Sequence, residues 1–208
     1  MRKYIVLALI LAVFTASPVF AYTLNLQTLP TQQSGGYYVG AVGGYINGGT
    51  TANYYCDDFS TTTYVPSSFS VLISSLSNIS GTKFASQEGA LKKYEQVGWL
   101  MSQMEINPTP TKIADIQFAM WSVFTPSAPT FGDSAAWLAA SANINASSYD
   151  FSNMRIYTAN NTPNQEFVGG SVTAVPEPAE WMMLIIGLGL ITYSVYRNRT
   201  KGVVLIRA

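Results

Sequence analysis

Apolar and polar positions change their spacing along the chain, and each change marks a change of structure. From Gly35-Gly36 the sequence runs through Tyr37, Tyr38 and Val39 into residues 41–46, meets Asn47-Gly48-Gly49, and resumes over 52–59. Aromatic and β-branched residues on either side of an Asn-Gly turn predict a β-hairpin whose second strand carries Cys56. Residues 61–65 and 69–76, separated by Pro66, read as further strands. The interval then lengthens. Ala90, Leu91, Tyr94, Val97, Gly98, Met101 and Met104 recur every three or four residues, which is one face of a helix, with Ser86 as its expected cap. Pro108-Thr109-Pro110 interrupts the pattern, and a second helix from about residue 111 sets Ile113, Ile116, Gln117, Met120, Trp121 and Phe124 at the same spacing until Pro126 and Pro129. Asp133 is placed to cap a short third helix through Trp137 and Leu138, and 155–158 and 166–168 read as closing strands. The expected fold class is α+β, mainly antiparallel β with an inserted helical pair.

The two ends have a different character. Arg2 and Lys3 precede an apolar run over 4–14, and small or turn-forming residues follow at Ala16, Ser17 and Pro18. That order predicts an N-terminal signal peptide over 1–21, cut after Ala21 by a signal peptidase, with Val19 and Ala21 as the small residues before the cut. At the other end an apolar run over 181–196 is followed by Arg197, Arg199 and Lys201. It predicts a single C-terminal transmembrane helix of about 24 Å, short for a bilayer core, with the basic side in the cytoplasm and the preceding domain outside. The organisation expected is therefore signal peptide 1–21, exported domain 22–168, linker 169–174 and tail 175–208.

The tail carries Val175-Pro176-Glu177-Pro178, then Trp181, the Gly187-Leu188-Gly189-Leu190 stretch and the Arg197/Arg199 cluster, in an order that resembles the PEP-CTERM sorting domain of Gram-negative bacteria that make extracellular polysaccharide. Residues 202–208 run past the basic cluster, where such tails usually stop. The resemblance implies that the chain is an exosortase substrate, held at the inner membrane until the tail is removed and then passed to the cell surface or a biofilm matrix.

Composition narrows the chemistry. The exported segment 22–174 is 153 residues long, enough for one domain, and has five basic against nine acidic side chains, a balance of −4. No basic patch is present to hold nucleic acid. The chain contains no histidine, which excludes a Ser-His-Asp triad, a Cys-His pair and imidazole metal ligands. Neither a metal nor another cofactor is expected, and no enzyme activity. Asp57 and Asp58 form the only adjacent acidic pair of the exported segment, and strand alternation sends them to opposite faces. They read as a strand end facing solvent. Tyr37, Tyr38, Tyr54 and Tyr55 are as consistent with a sheet core as with a sugar-binding face. Asn78-Ile79-Ser80 and Asn145-Ala146-Ser147 fit the glycosylation acceptor pattern.

Two residues stand out. Cys56 is the only cysteine, so it closes no internal disulfide and is a packed small hydrophobe, an intermolecular partner or a reactive group. Gln117 sits on the apolar face of its helix, where an unsatisfied amide costs about 1–3 kcal/mol. One arrangement accounts for both: the Cys56 sulfur attacks the Gln117 side-chain carbonyl, ammonia leaves, and an internal thioester remains. The alternative is a packed, inert cysteine and a glutamine bonded to a backbone carbonyl. Gln96 and Trp99 form a second Gln-x-x-Trp element, off the main apolar stripe. Tyr55-Cys56 together with Ile116-Gln117-Phe118-Ala119-Met120-Trp121 resembles the thioester domains of bacterial surface adhesins, which have an aromatic or Leu before the cysteine and a hydrophobic-Gln-x-x-hydrophobic-Trp helix. That resemblance implies a Cys56–Gln117 cross-link, with Tyr55, Ala119 and Trp121 as motif neighbours, and covalent adhesion to an amine- or hydroxyl-bearing surface or matrix ligand. A noncovalent structural or carbohydrate-associated matrix protein is the other reading.

Overall fold

The computed structural model describes residues 22–175 and 178–201; side chains are described from 183 to 196 within the last of these stretches. The expected signal peptide, 1–21, lies outside the described residues, as do Pro176, Glu177, residues 202–208 and the side chains of Pro178, Trp181, Arg197 and Arg199.

Six strands close into an antiparallel barrel: β1 (Tyr22–Thr28), β4 (Val42–Ile46), β5 (Ala52–Cys56), β9 (Phe167–Gly169), β8 (Arg155–Ala159) and β6 (Ser67–Ser74), each paired with the next and β6 returning to β1. Two short strands, β2 (Gln32–Ser34) and β3 (Tyr37–Val39), form a hairpin of their own, and β7 (Tyr149–Asp150) pairs with β10 (Thr173–Ala174). Three helices, α1 (Ala90–Glu105), α2 (Pro110–Phe124) and α3 (Ser134–Ala142), lie between β6 and β7 in the chain, and α4 (Pro178–Lys201) follows the domain.

The expected hairpin is β4–β5, with Val42 opposite Tyr54 and Gly44 opposite Ala52. Gly44 lies so close to β1 that an added Cβ would stand 2.4 Å from the Asn25 carbonyl oxygen, next to the register shift between Leu26 and Thr28. A side chain there would push the two strands apart. β1 is not among the expected strands, although Leu24 and Leu26 alternate with Thr23, Asn25 and Gln27 at the two-residue period of a half-buried strand. Residues 61–65 are not a strand; they form a loop ahead of β6.

The helices fall where the spacing predicts them. Thr109 caps α2 by accepting from the Lys112 N–H at 3.3 Å, and Pro110 occupies the first turn, where its missing N–H costs nothing. α1 starts after Gly89, so Ser86 is not its cap, and the Asp133 side chain makes no cap bond to α3.

Alternation along the strands divides the core in two. Leu24, Leu26, Val42, Tyr54, Cys56, Phe69, Val71 and Phe167 share the cluster inside the barrel. Tyr55, Ile156 and Val168 point the other way and join Tyr94, Leu100, Met101, Met120 and Phe124 of the helices. α2 serves both: Ala114, Phe118 and Trp121 belong to the barrel cluster, while Ile116, Ala119 and Met120 belong to the helical one.

The segment expected as a free linker, 169–174, is part of the fold. Gly169 ends β9 opposite Tyr54 and Arg155, and Thr173–Ala174 pairs with β7. Small residues there fit a tight path: a Cβ on Gly170 would meet the Asn153 carbonyl oxygen at 2.1 Å. The expected span over 181–196 lies within α4, whose apolar side chains Met183 to Ile191 stand exposed, Gly187 and Gly189 aside. Among the described residues, however, no helix is long and apolar enough to cross a membrane. Gly187, Gly189, Thr192, Tyr193 and Ser194 dilute the described part of the run. The fold is therefore a mixed α/β one, a six-stranded antiparallel barrel with four α-helices among the described residues.

Candidate functional site

Cys56 ends β5 and turns its side chain into the barrel cluster, at the end of the barrel that α2 covers with Phe118 and Trp121. Gln117 lies on α2 between the two clusters, 1% exposed. Its amide is held at both ends: Nε2 donates to the Cys56 backbone carbonyl at 2.6 Å, and Oε1 accepts the Gly40 N–H at 3.3 Å. The Cys56 thiol donates to the Asp58 carbonyl oxygen at 3.2 Å. Both residues line one cavity of about 270 Å³, together with Tyr37, Phe59, Thr61 and Trp121. No Asp, Glu, Lys or Arg is among the described lining residues.

The aromatic rings of Tyr37, Phe59 and Trp121 line the cavity, and Phe118 packs against two of them. Tyr37 stands edge-on to Phe59, Trp121 and Phe118, at centroid separations of 5.4, 5.7 and 6.0 Å. Phe59 and Trp121 are 5.4 Å apart. The Trp121 indole N–H has no full hydrogen bond, yet lies near enough to Cys56 to favour its charged form. Burial outweighs that and pushes the thiol well above its ordinary range, with the Asp57 charge adding to the rise. The thiolate form of Cys56 is accordingly disfavoured.

Other expected site residues are placed differently. Tyr55 faces the helices, where its hydroxyl donates to Glu105 Oε1 at 3.1 Å, and Ala119 is packed in the helical cluster. Neither lines the cavity. Gln96 and Trp99 do not line it either; they lie on α1, with Trp99 against Trp137 at 6.1 Å. Val175, the first residue of the expected sorting signal, is exposed and donates its N–H to the Ser148 carbonyl oxygen at 2.8 Å.

Asp57 and Asp58 do not face solvent: both are fully buried. Asp58 forms an ion pair with Lys83 and accepts from the Ser60 N–H at 2.9 Å. Burial works against its ionised form, but the Lys83 and Ser60 bonds prevail and hold its carboxyl below the usual range. Asp57 shares a buried pocket with Glu166. Glu166 accepts from the Tyr94 hydroxyl at 2.5 Å, from the Lys83 N–H at 2.7 Å and from the Thr158 hydroxyl. Neither carboxylate oxygen of Asp57 has a hydrogen-bond partner. Burial first, then the Glu166 charge, pushes Asp57 far upward, and burial raises Glu166 as well. The cluster is hidden in the sequence because its acidic side chains come from 57, 58 and 166, which only the β5–β9 pairing brings together. Among the described residues no group of acidic or cysteine side chains could hold a metal ion.

No family profile matches the chain, and no curated protein matches it. Among solved structures it is similar to the N-terminal thioester domain of a surface protein from Clostridium perfringens, at 14% identity and a TM-score of 0.48, covering 74% of this chain and 100% of the other. It is also similar to the N-terminal domain of the Streptococcus pyogenes pilus tip adhesin Cpa, at 11% identity and 0.44, covering 78% and 97%. A third similar structure is the N-terminal thioester domain of fibronectin-binding protein SfbI from Streptococcus pyogenes, at 14% and 0.44, again covering 78% and 97%.

Proposed function

We propose that this chain is an exported adhesin-like protein whose Cys56 and Gln117 form an internal thioester and capture a nucleophile on a surface or matrix polymer. The observation that carries the reading is the 2.6 Å bond from the Gln117 amide to the Cys56 carbonyl, which joins two residues 61 apart in sequence within one cavity. In that setting Cys56 supplies the sulfur and Gln117 the acyl group. A buried thioester is shielded from water but open to a slender nucleophile entering past Tyr37. No described lining residue can act as a strong base, so a neutral amine, which needs none, is a better partner than a hydroxyl. Capture happens once per molecule, without turnover, so the protein is not an enzyme.

The two chain ends support display. Arg2, Lys3 and the apolar run up to Phe14 suit an export signal, and Val175-Pro176-Glu177-Pro178 with Arg197 and Arg199 suit a sorting tail read by an exosortase. In this reading α4 rests at the inner membrane of a Gram-negative cell before the domain is released to the surface or an extracellular polysaccharide matrix.

A second reading has its own support. Gln117 has a hydrogen-bond partner at each end as an intact amide, and the Cys56 thiol is bonded to Asp58, so a noncovalent matrix protein with an inert cysteine needs no further chemistry. Intact-mass measurement separates the two. The thioester reading expects the protein to be lighter by one ammonia, to regain the unmodified mass in Cys56→Ala apart from that substitution, and to gain one methylamine on treatment. An unmodified mass, a freely titrating thiol and no methylamine adduct would establish the noncovalent reading instead.

A further inference from the structure

Among the described residues the acyl oxygen of Gln117 has one donor, the Gly40 N–H, and that donor is built into the site with care. Gly40 follows β3 at φ +101°, a conformation that L side chains rarely adopt, and an added Cβ would stand 2.9 Å from Ile113 Cγ2 on α2. Glycine at this position lets the backbone lie directly against the helix that carries Gln117. The hairpin that presents Gly40 is fixed to the same helix at two further points: the Gln32 amide donates to the Pro110 carbonyl oxygen, and the Tyr37 ring packs on Phe118 and Trp121. Donor and acyl group are therefore held by one rigid unit.

We propose that the backbone N–H of Gly40 is the oxyanion donor for both reactions of Gln117, thioester formation and nucleophile capture. This rests on the thioester reading above. In the first reaction the Sγ–Cδ bond forms and the carbonyl electron pair moves onto Oε1, where the Gly40 N–H meets the developing charge. The pair then returns, the Cδ–Nε2 bond breaks, and Nε2 leaves as ammonia with the proton that the thiol gives up. The Cys56 carbonyl, bonded to Nε2, orients the leaving nitrogen. In the second reaction an amine attacks Cδ, Oε1 again becomes negative against Gly40, and the sulfur departs, taking a proton from the amine as the new amide forms. The 3.3 Å separation is to the ground-state oxygen, and such contacts tighten as charge develops.

The test replaces residue 40 of the full chain by glycolic acid, which removes the N–H and adds no side chain. Thioester formation and methylamine capture, followed by intact mass, are expected to slow by about 100-fold to 1,000-fold. Unchanged rates for both would overturn the proposal while leaving the thioester itself intact. A parent chain that neither loses ammonia nor takes up methylamine would overturn the thioester reading as well, a result visible before any variant is made. Should the ester chain fail to fold, nuclear magnetic resonance of the parent decides. The Gly40 amide proton is expected to be protected from exchange and to move downfield when methylamine turns the weakly accepting thioester oxygen into an amide oxygen. An unprotected proton, or one indifferent to capture, would rule Gly40 out.

Discussion

The Gln117 side chain reaches across 61 residues of sequence to donate to the backbone carbonyl of Cys56 at 2.6 Å. That contact ties the second helix to the last residue of β5, and a covalent bond between the Cys56 and Gln117 side chains would close the same loop. Closing a loop of that length stabilises a fold by about 4 kcal/mol on the chain-entropy model. If the thioester is present, opening it with methylamine is therefore expected to lower the unfolding free energy obtained from urea titration by up to that amount. Cys56→Ala, which cannot form it, is expected to show no shift on the same treatment.

Acidity should act on stability through the cluster around Asp57. Its carboxyl and that of Glu166 are raised in the folded chain, so unfolding releases protons once pH exceeds the ordinary carboxylate range near 4. Their contribution is fully present below that range and is lost as pH rises through the raised folded values. Asp58 has the opposite sign, being lowered, and its contribution is lost as pH falls through its folded value. Urea midpoints measured from pH 4 to 9 are expected to fall toward the alkaline side in the parent. Asp57→Asn should flatten that slope, since it removes the buried acid that has no partner.

Tyr37 is 40% exposed and covers Phe59 and Trp121 from the solvent side of the cavity. Tyr37→Ala is expected to cost little in stability and to speed both methylamine capture and hydrolysis, read from the mass over time. Equal rates in parent and variant would show that the ring does not guard the site.

Gly98 marks where α1 meets the segment before β8. A Cβ there would lie 2.5 Å from Met154 Sδ and 3.2 Å from the Phe151 ring. Gly98→Ala should destabilise by about 1–3 kcal/mol despite alanine's better helix propensity, because the overpacked neighbours have to move. Denaturant titration measures it, and a stabilised variant would contradict the packing described.

Much of this was legible in the sequence, for reasons that differ residue by residue. The β4–β5 hairpin announced itself through Asn47-Gly48, and α1 and α2 through their three- and four-residue spacing, because local geometry alone sets those patterns. Gln117 was legible as an amide on an apolar helix face. Gly40 was not: its importance comes from a backbone N–H and from Ile113 on another element. Asp57 was misread for a similar reason. Strand alternation correctly turns it away from Cys56, but the far side of β5 is covered by Tyr94 and Glu166 rather than by water. Barrel closure was equally hidden, since β1 must find β6 across the sequence, a nonlocal pairing that no turn signal announces.

The two-residue pairing of β10 with β7, extended by the bond from Val175 to Ser148, gives the domain a mechanical grain. A pull on the chain beyond Val175 meets that short strand first and can unzip it at low force. The next strand along the chain is β9, flanked by β5 on one side and β8 on the other. A molecule tethered by Gln117 and tugged from its tail would thus yield a few residues of slack before the barrel itself came under tension, a shock absorber placed at the exit of the domain.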